Sequence, residues 1–240
     1  MNRQRPQVIT VTCRLAVALM VCATGCAPTL QPHGPLPDAV PAPDHRAGDA
    51  WTYVARNGYN NETLGNWRYA VAAAAGGETR IAITRSATDA PSVEIATADG
   101  GFREHALPNL PRYRFDPPFV AYGFPLAPGR SWDHTVSAYN TATQRSQKVR
   151  VLGWVTGWER IRVPAGEFDT LKIARATYAG DGDFWRTQTE IYESDWFAPQ
   201  IGAIIKHEER SQWIQRTYRG HPLYQGDRTT LELIAYERIP

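Results

Sequence analysis

The sequence predicts an all-β domain: an antiparallel, hairpin-rich sheet that curls into an open or closed barrel, interrupted by an irregular proline-rich crossing segment. Two observations predict it. Apolar and polar residues alternate with period 2 in several runs, the pattern of strands with one buried face. Glycine-containing turn signals separate those runs, and no long 3.6-residue periodicity competes with them.

The runs are specific. Trp67, Tyr69 and Val71 alternate with Arg68 and Ala70, and Ile81 and Ile83 alternate with Arg80, Ala82 and Thr84. Near the C-terminus, Thr229, Leu231, Leu233 and Ala235 alternate with Thr230, Glu232, Ile234 and Tyr236. Turn chemistry stands at Gly76-Gly77, at Asp99-Gly100-Gly101 and at Gly180-Asp181-Gly182-Asp183. Residues 70–77, AVAAAAGG, carry alanines suited to a helix but run out of a strand pattern into glycine. Residues 106–130 differ from their surroundings. Pro108, Pro111, Pro117, Pro118, Pro125 and Pro128 are interleaved with aromatic residues. Regular strands do not tolerate that proline density, so an irregular crossing is expected, with at most short helices near 106–125.

Residues 49–240 are therefore read as a single β-domain. Residues 1–25 read as a signal peptide: Arg3, Arg5 and Arg14 precede nine apolar residues, Leu15 to Ala23, too few to span a bilayer. Between them, residues 26–48 hold Cys26 and a proline-rich stretch, expected to be an extended tether. Twenty-two residues, 27–48, would reach roughly 70 Å in polyproline geometry.

Ala23-Thr24-Gly25-Cys26 resembles a bacterial lipobox. The resemblance implies cleavage before Cys26, a diacylglycerol thioether on its sulfur and an acyl chain such as palmitate on its freed amine. Two or three chains hold a protein at a membrane where one does not. Ala27 stands where Asp commonly retains such proteins at the inner membrane, so the resemblance implies an outer-membrane lipoprotein, facing either the periplasm or the surface. Cleavage nearby by ordinary signal peptidase, giving a soluble secreted protein, is the alternative.

Three of the 26 basic residues and none of the 24 acidic ones lie in residues 1–25, which leaves 23 against 24 after processing. A near-neutral chain without a basic block offers no case for nucleic acid. Cys13, Cys22 and Cys26 are the three cysteines, so the domain must be stable through core burial without an internal disulfide.

The most specific interior signals are GWERIRVPAGEFDTLKI (157–173) and WFAPQIGAIIKHE (196–208). In the first, Pro164 presets a turn and Gly166 closes it, with Trp158 expected to pack inward. Val163, Pro164, Ala165, Gly166, Phe168 and Asp169, with Trp196, Phe197, Ala198, Pro199, Ile201, Gly202, Ile204, Lys206 and Glu208, resemble the motifs of a group of secreted, largely uncharacterised bacterial β-proteins. That resemblance covers about residues 125–215. It implies long antiparallel sheets curling into a barrel, somewhat like the lipoprotein-localisation factors of the envelope, and carries no catalytic residues. Structural roles are expected for these positions: a turn, a strand bend, and Lys206 snorkelling beside Glu208.

Catalytic motifs are not found. Gly129-Arg130-Ser131-Trp132-Asp133 lacks the second glycine of a nucleophile elbow, and His207-Glu208-Glu209-Arg210-Ser211 lacks the second histidine of H-E-x-x-H. His105, His134, His207 and His221 show no metal-like spacing, and neither a metal nor a cofactor is expected. Asp181 and Asp183 read as a turn rather than a calcium loop. Glu190 with Glu193, and Glu208 with Glu209, could pair as acids, but on alternating strands they read as solvated faces.

Aromatic density remains. A curled sheet of this size can enclose an apolar cavity, and Trp185, Trp196 and Trp213 are the candidates to line it. The function expected is non-catalytic binding of an apolar ligand or an envelope partner by a lipid-anchored domain. A structural or assembly lipoprotein without a pocket is the first alternative. A hydrolase with an unrecognised site is the second, which mutually hydrogen-bonded Glu, His and Asp in a cleft would favour.

Overall fold

A computed structural model describes residues 34–86, 90–180 and 185–239. Cys26 and Asp181–Gly182–Asp183 lie outside the described residues. Twelve strands follow one another: β1 (Ala50–Asn57), β2 (Thr63–Ala75), β3 (Glu78–Thr84), β4 (Ser92–Thr97), β5 (Gly101–Ala106), β6 (Arg112–Val120), β7 (Ser131–Asn140), β8 (Arg145–Val163), β9 (Gly166–Ala179), β10 (Thr189–Ala198), β11 (Ala203–Ile214) and β12 (Leu223–Glu237). Each pairs antiparallel with the next, and β1 pairs with β12 from Ala50↔Glu237 to Asn57↔Thr229, so the sheet is a closed barrel. The all-β expectation holds, and of the open and closed forms it is the closed one. No helix occurs among the described residues.

Alternation sets the inner face. On β9, Leu171, Ile173, Arg175, Thr177 and Ala179 are buried, and on β10 Thr189, Ile191, Glu193 and Asp195 are buried. The alanine run of β2 is strand throughout. It ends in the two-residue turn Gly76-Gly77, with φ of +62° and +78°, the doubly positive pair that only glycine adopts freely.

The crossing segment is more regular than its prolines predict. Arg112–Val120 is a full strand, paired with β5 from Gly101↔Val120 to Ala106↔Arg112. The prolines interrupt pairing on both edges: against β5 the register jumps across them, from Glu104↔Arg114 to Phe102↔Phe119. Pairing of β6 with β7 stops at Asp116↔Ser137, immediately before Pro117 and Pro118, which have no N–H to give. Residues 107–111 form a turn between β5 and β6, and residues 121–130 are irregular. The latter cross one end of the barrel, where Leu126 and Val40 exchange backbone hydrogen bonds of 2.7 Å in both directions. Val40 is buried, so residues from Val40 onward, assigned by composition to the tether, lie against the barrel.

The VPAG turn is a two-residue hairpin loop, Pro164-Ala165, closed by Val163↔Gly166. Its hairpin is long, and its tip reaches β12, where the Ala165 N–H donates to the Leu233 carbonyl at 3.0 Å. Trp158 is half-buried against Val155, Leu171 and Ile173, as its position in the hairpin predicts. Gly166 has φ of +138°, a region closed to side chains that branch at Cβ. Gly166→Val should therefore lower stability by about 1–3 kcal/mol. Chemical denaturation checks this, and superimposable curves for variant and parent would remove the turn from its structural role.

Candidate functional site

Twelve strands close around more space than their side chains fill. The barrel holds a cavity of about 630 Å³, walled by Trp51, Trp67, Tyr69, Phe102, Leu110 and Leu231, among others. Charged residues interrupt this apolar wall. Arg175, Glu193, Asp195, His207 and Glu209 all line the cavity, and register explains why. Arg175 stands opposite Glu193, Glu193 opposite Glu209, and Glu209 opposite Thr229, in one row across β9, β10, β11 and β12. Asp195 and His207 face each other in the next inward row.

The row is joined by hydrogen bonds. Arg175 Nη2 donates to Glu193 Oε1 at 2.8 Å, and Arg175 Nη1 lies 2.6 Å from Asp195 Oδ2. Its guanidinium also sits over the Tyr122 ring, 4.8 Å from the centroid. The Tyr122 hydroxyl donates to Asp195 Oδ2 at 3.3 Å. His207 Nδ1 is 2.7 Å from Asp195 Oδ1, and its Nε2 is 3.3 Å from Glu209 Oε2. Arg175, Glu193 and Asp195 are each under one-tenth exposed. A lone charge there would be costly, and reciprocal pairing is what makes burial tolerable.

The electrostatics follow from this pairing. Burial disfavours the Asp195 carboxylate, but Arg175 and His207 overcome it and hold the group below the usual range. Burial likewise opposes charge on His207, and Asp195 and Glu209 reverse that, raising it well above the ordinary histidine value. Glu209 is held low despite burial by His207 and by the Thr229 hydroxyl. Burial drives the Tyr122 and Tyr53 hydroxyls far upward, so both stay protonated.

A second pair lies on β4 and β5. His105 Nδ1 is 2.7 Å from Glu94 Oε1, with the imidazole stacked on Phe102 at 4.5 Å between ring centroids. Both residues line the cavity.

Neither the family models nor the curated proteins compared with the sequence give a match. Solved structures do. A protein from Bacteroides fragilis, described as exported and with a YmcC-like fold, is 16% identical with a TM-score of 0.49, covering 83% of this chain and 100% of that one. A protein from Parabacteroides distasonis described as a lipoprotein is 12% identical with a TM-score of 0.48, covering 80% and 97%. The hypothetical lipoprotein YmcC of Escherichia coli is 8% identical with a TM-score of 0.43, covering 80% and 85%. Likenesses this distant assign no residue of the site.

The three tryptophans expected at a cavity lie elsewhere. Trp185 is 44% exposed and meets Tyr218 edge-on. Trp213 stacks on Tyr224 beneath the Arg186 guanidinium, 3.8 Å from its ring. Trp196 alternates away from Asp195 and is clasped by the Lys172 and Lys206 ammonium groups, at 4.9 and 4.8 Å from its ring. Lys206 also pairs with Glu208 at 2.8 Å, the snorkelling arrangement read from the motif. The tryptophans at the cavity are Trp51 and Trp67. Glu193 and Glu209, expected on solvated faces, point inward instead. The spacing E-x-D at 193–195 and H-x-E at 207–209 was the available signal, because each pair shares a strand face.

The Glu94–His105 pair gives a pH dependence. Burial lowers the His105 pKa, but Glu94, its charge and hydrogen bond together, raises it above the ordinary 6.5, with Glu193 adding to this and Arg175 opposing. A histidine raised on folding contributes stability that is complete below its unfolded pKa and is lost as pH rises through the folded one. The parent should therefore exceed His105→Gln in denaturation midpoint most at acid pH, with the gap narrowing as pH climbs above 6.5. A gap that widens toward alkaline pH would contradict the assignment.

Proposed function

We propose that this chain is a lipid-anchored envelope protein whose barrel takes an apolar ligand, or an apolar group of an envelope partner, into its interior without chemical change. The cavity carries this reading. Its volume falls within the roughly 300–1,000 Å³ of small-molecule sites, and aromatic and aliphatic side chains make up the larger part of its wall, alongside the charged cluster and the Glu94–His105 pair. The Trp51 Nε1–H is buried at the cavity and has no acceptor among the described residues.

The reading is tested with the neutral probe N-phenylnaphthylamine. Its fluorescence should rise on binding, with energy transfer from Trp51 and Trp67. Ala96→Phe, which adds a ring to the cavity wall, should weaken binding by about tenfold or more, the scale of a lost apolar pocket. Equal binding by variant and parent would place the probe outside the barrel.

The anchor rests on the lipobox resemblance at Cys26. Thirteen residues separate Cys26 from Val40, where the chain meets the barrel. At about 3.1 Å each they would stand the domain roughly 40 Å from the lipid. Cys26 should be the N-terminal residue of the processed chain, diacylated on sulfur and acylated on nitrogen, and Ala27 favours delivery to the outer membrane. Mass spectrometry of the N-terminal peptide decides it. An unmodified peptide beginning after Cys26 would make the protein an ordinary secreted domain.

The hydrogen-bonded Glu, Asp and His cluster favours a second reading, hydrolysis of a bound ester by acid–base chemistry. Under it, Glu209→Gln should abolish turnover of a chromogenic acyl ester that the parent hydrolyses, while leaving probe binding intact. Absence of turnover by the parent leaves binding as the activity.

A further inference from the structure

The inward row brings three metal-ligating side chains to one point. One ligand atom each from Glu193, His207 and Glu209 lie within 4.8 Å of one another. Two carboxylates placed directly opposite on neighbouring strands repel, so something positive must stand by them. Arg175 answers Glu193, and the His207 imidazole answers Glu209 through Nε2.

The histidine is also oriented from behind. Asp195 Oδ1 engages its Nδ1 at 2.7 Å, and Asp195 is itself fixed by Arg175 and Tyr122. A carboxylate on one ring nitrogen is the device that sets the tautomer and aim of a metal-bound histidine, presenting the other nitrogen to the ion. Glu209 has the Thr229 hydroxyl as its own support. All three side chains line the cavity, so the remaining coordination positions would face water or a guest.

We propose that Glu193, His207 and Glu209 form a divalent metal site in the barrel wall, with His207 Nε2 and one oxygen of each glutamate as protein ligands. One imidazole and two carboxylates suit Zn²⁺ or Mn²⁺. Binding exchanges the Nε2 proton for the ion and releases that proton to solvent, with no change of oxidation state. The site stands apart from the apolar-ligand reading, because probe binding and metal binding are measured separately.

The test uses the full chain, stripped with chelator and then given Zn²⁺ or Mn²⁺ chloride separately. One equivalent of at least one ion should remain after desalting and should raise the melting temperature. His207→Gln and Glu209→Gln should each weaken binding about 10–100-fold, the usual scale for disturbing such a site, and should lose the thermal shift. Glu208→Gln, one residue away on the opposite strand face, should bind as the parent does. Should the buried variants fail to fold, X-ray absorption at the zinc edge of the parent decides: a nitrogen and oxygen shell is expected, and a sulfur shell would assign the ion to cysteine. No stoichiometric binding of either ion, or binding equal in parent and folded variants, overturns the site.

Discussion

Closure is the constraint on which the other features depend. β1 must pair on one side with β2 and on the other with β12, whose residues lie about 180 positions later in the chain. Closure removes both edges of the sheet, and with them the unpaired N–H and C=O groups that invite aggregation. It also fixes the width. About eight strands make a barrel that its own side chains can fill, and twelve leave an interior. The cavity is thus a consequence of strand number, and evolution's freedom lies in which side chains face it. One end of the barrel is tied from outside the strand ladder. The β8–β9 tip hydrogen-bonds to Leu233, and Arg238 Nη1 donates to the Ile201 carbonyl at 2.9 Å beside the segment that carries Val40.

A hollow lined only by apolar residues would be simpler to stabilise. Ionised carboxylates inside the wall cost several kcal/mol each unless paired. Here the cost is met locally. Arg175 answers two carboxylates, and each histidine answers a carboxylate through Nδ1. Such networks are weak evidence for stability, since apolar replacements of equal shape serve as well or better. Their presence at the cavity, flanked by aromatic walls, is a reason to propose that the interior binds a guest. Under that proposal the polar groups would set a guest's orientation and the aromatic surfaces would supply the contact area.

Strand identity and the hairpin turns were legible in the sequence because they are local. Alternation at Trp67–Val71 and Leu231–Ala235, the Gly76-Gly77 turn and the Val163–Gly166 turn each depend on a few neighbouring residues. The site was not legible, because it is made by register. Nothing near Glu193 announces Glu209, sixteen positions later, as its partner across the ladder, or Arg175, eighteen positions earlier, as its counter-ion. Metal spacing rules describe ligands on one turn or helix and miss ligands gathered from adjacent strands. Tryptophan content misled for a related reason. Trp196 is well buried, but its strand phase turns it away from the cavity and between two lysines. The proline-rich segment was misread because a strand can continue through a local break in its ladder, as β6 does at Pro117 and Pro118, with pairing to β5 resuming at Phe119.

If closure is the organising constraint, β1 and β12 have no free edge. Amide hydrogen exchange over Tyr53–Ala55 and Leu231–Leu233 measures this most directly. A closed barrel predicts slow exchange in both segments, comparable with Leu171–Arg175 in the middle of the sheet. Fast exchange in either segment, with protection kept in β9, would mean an open sheet with two edges, and the barrel cavity with its buried charges would not exist.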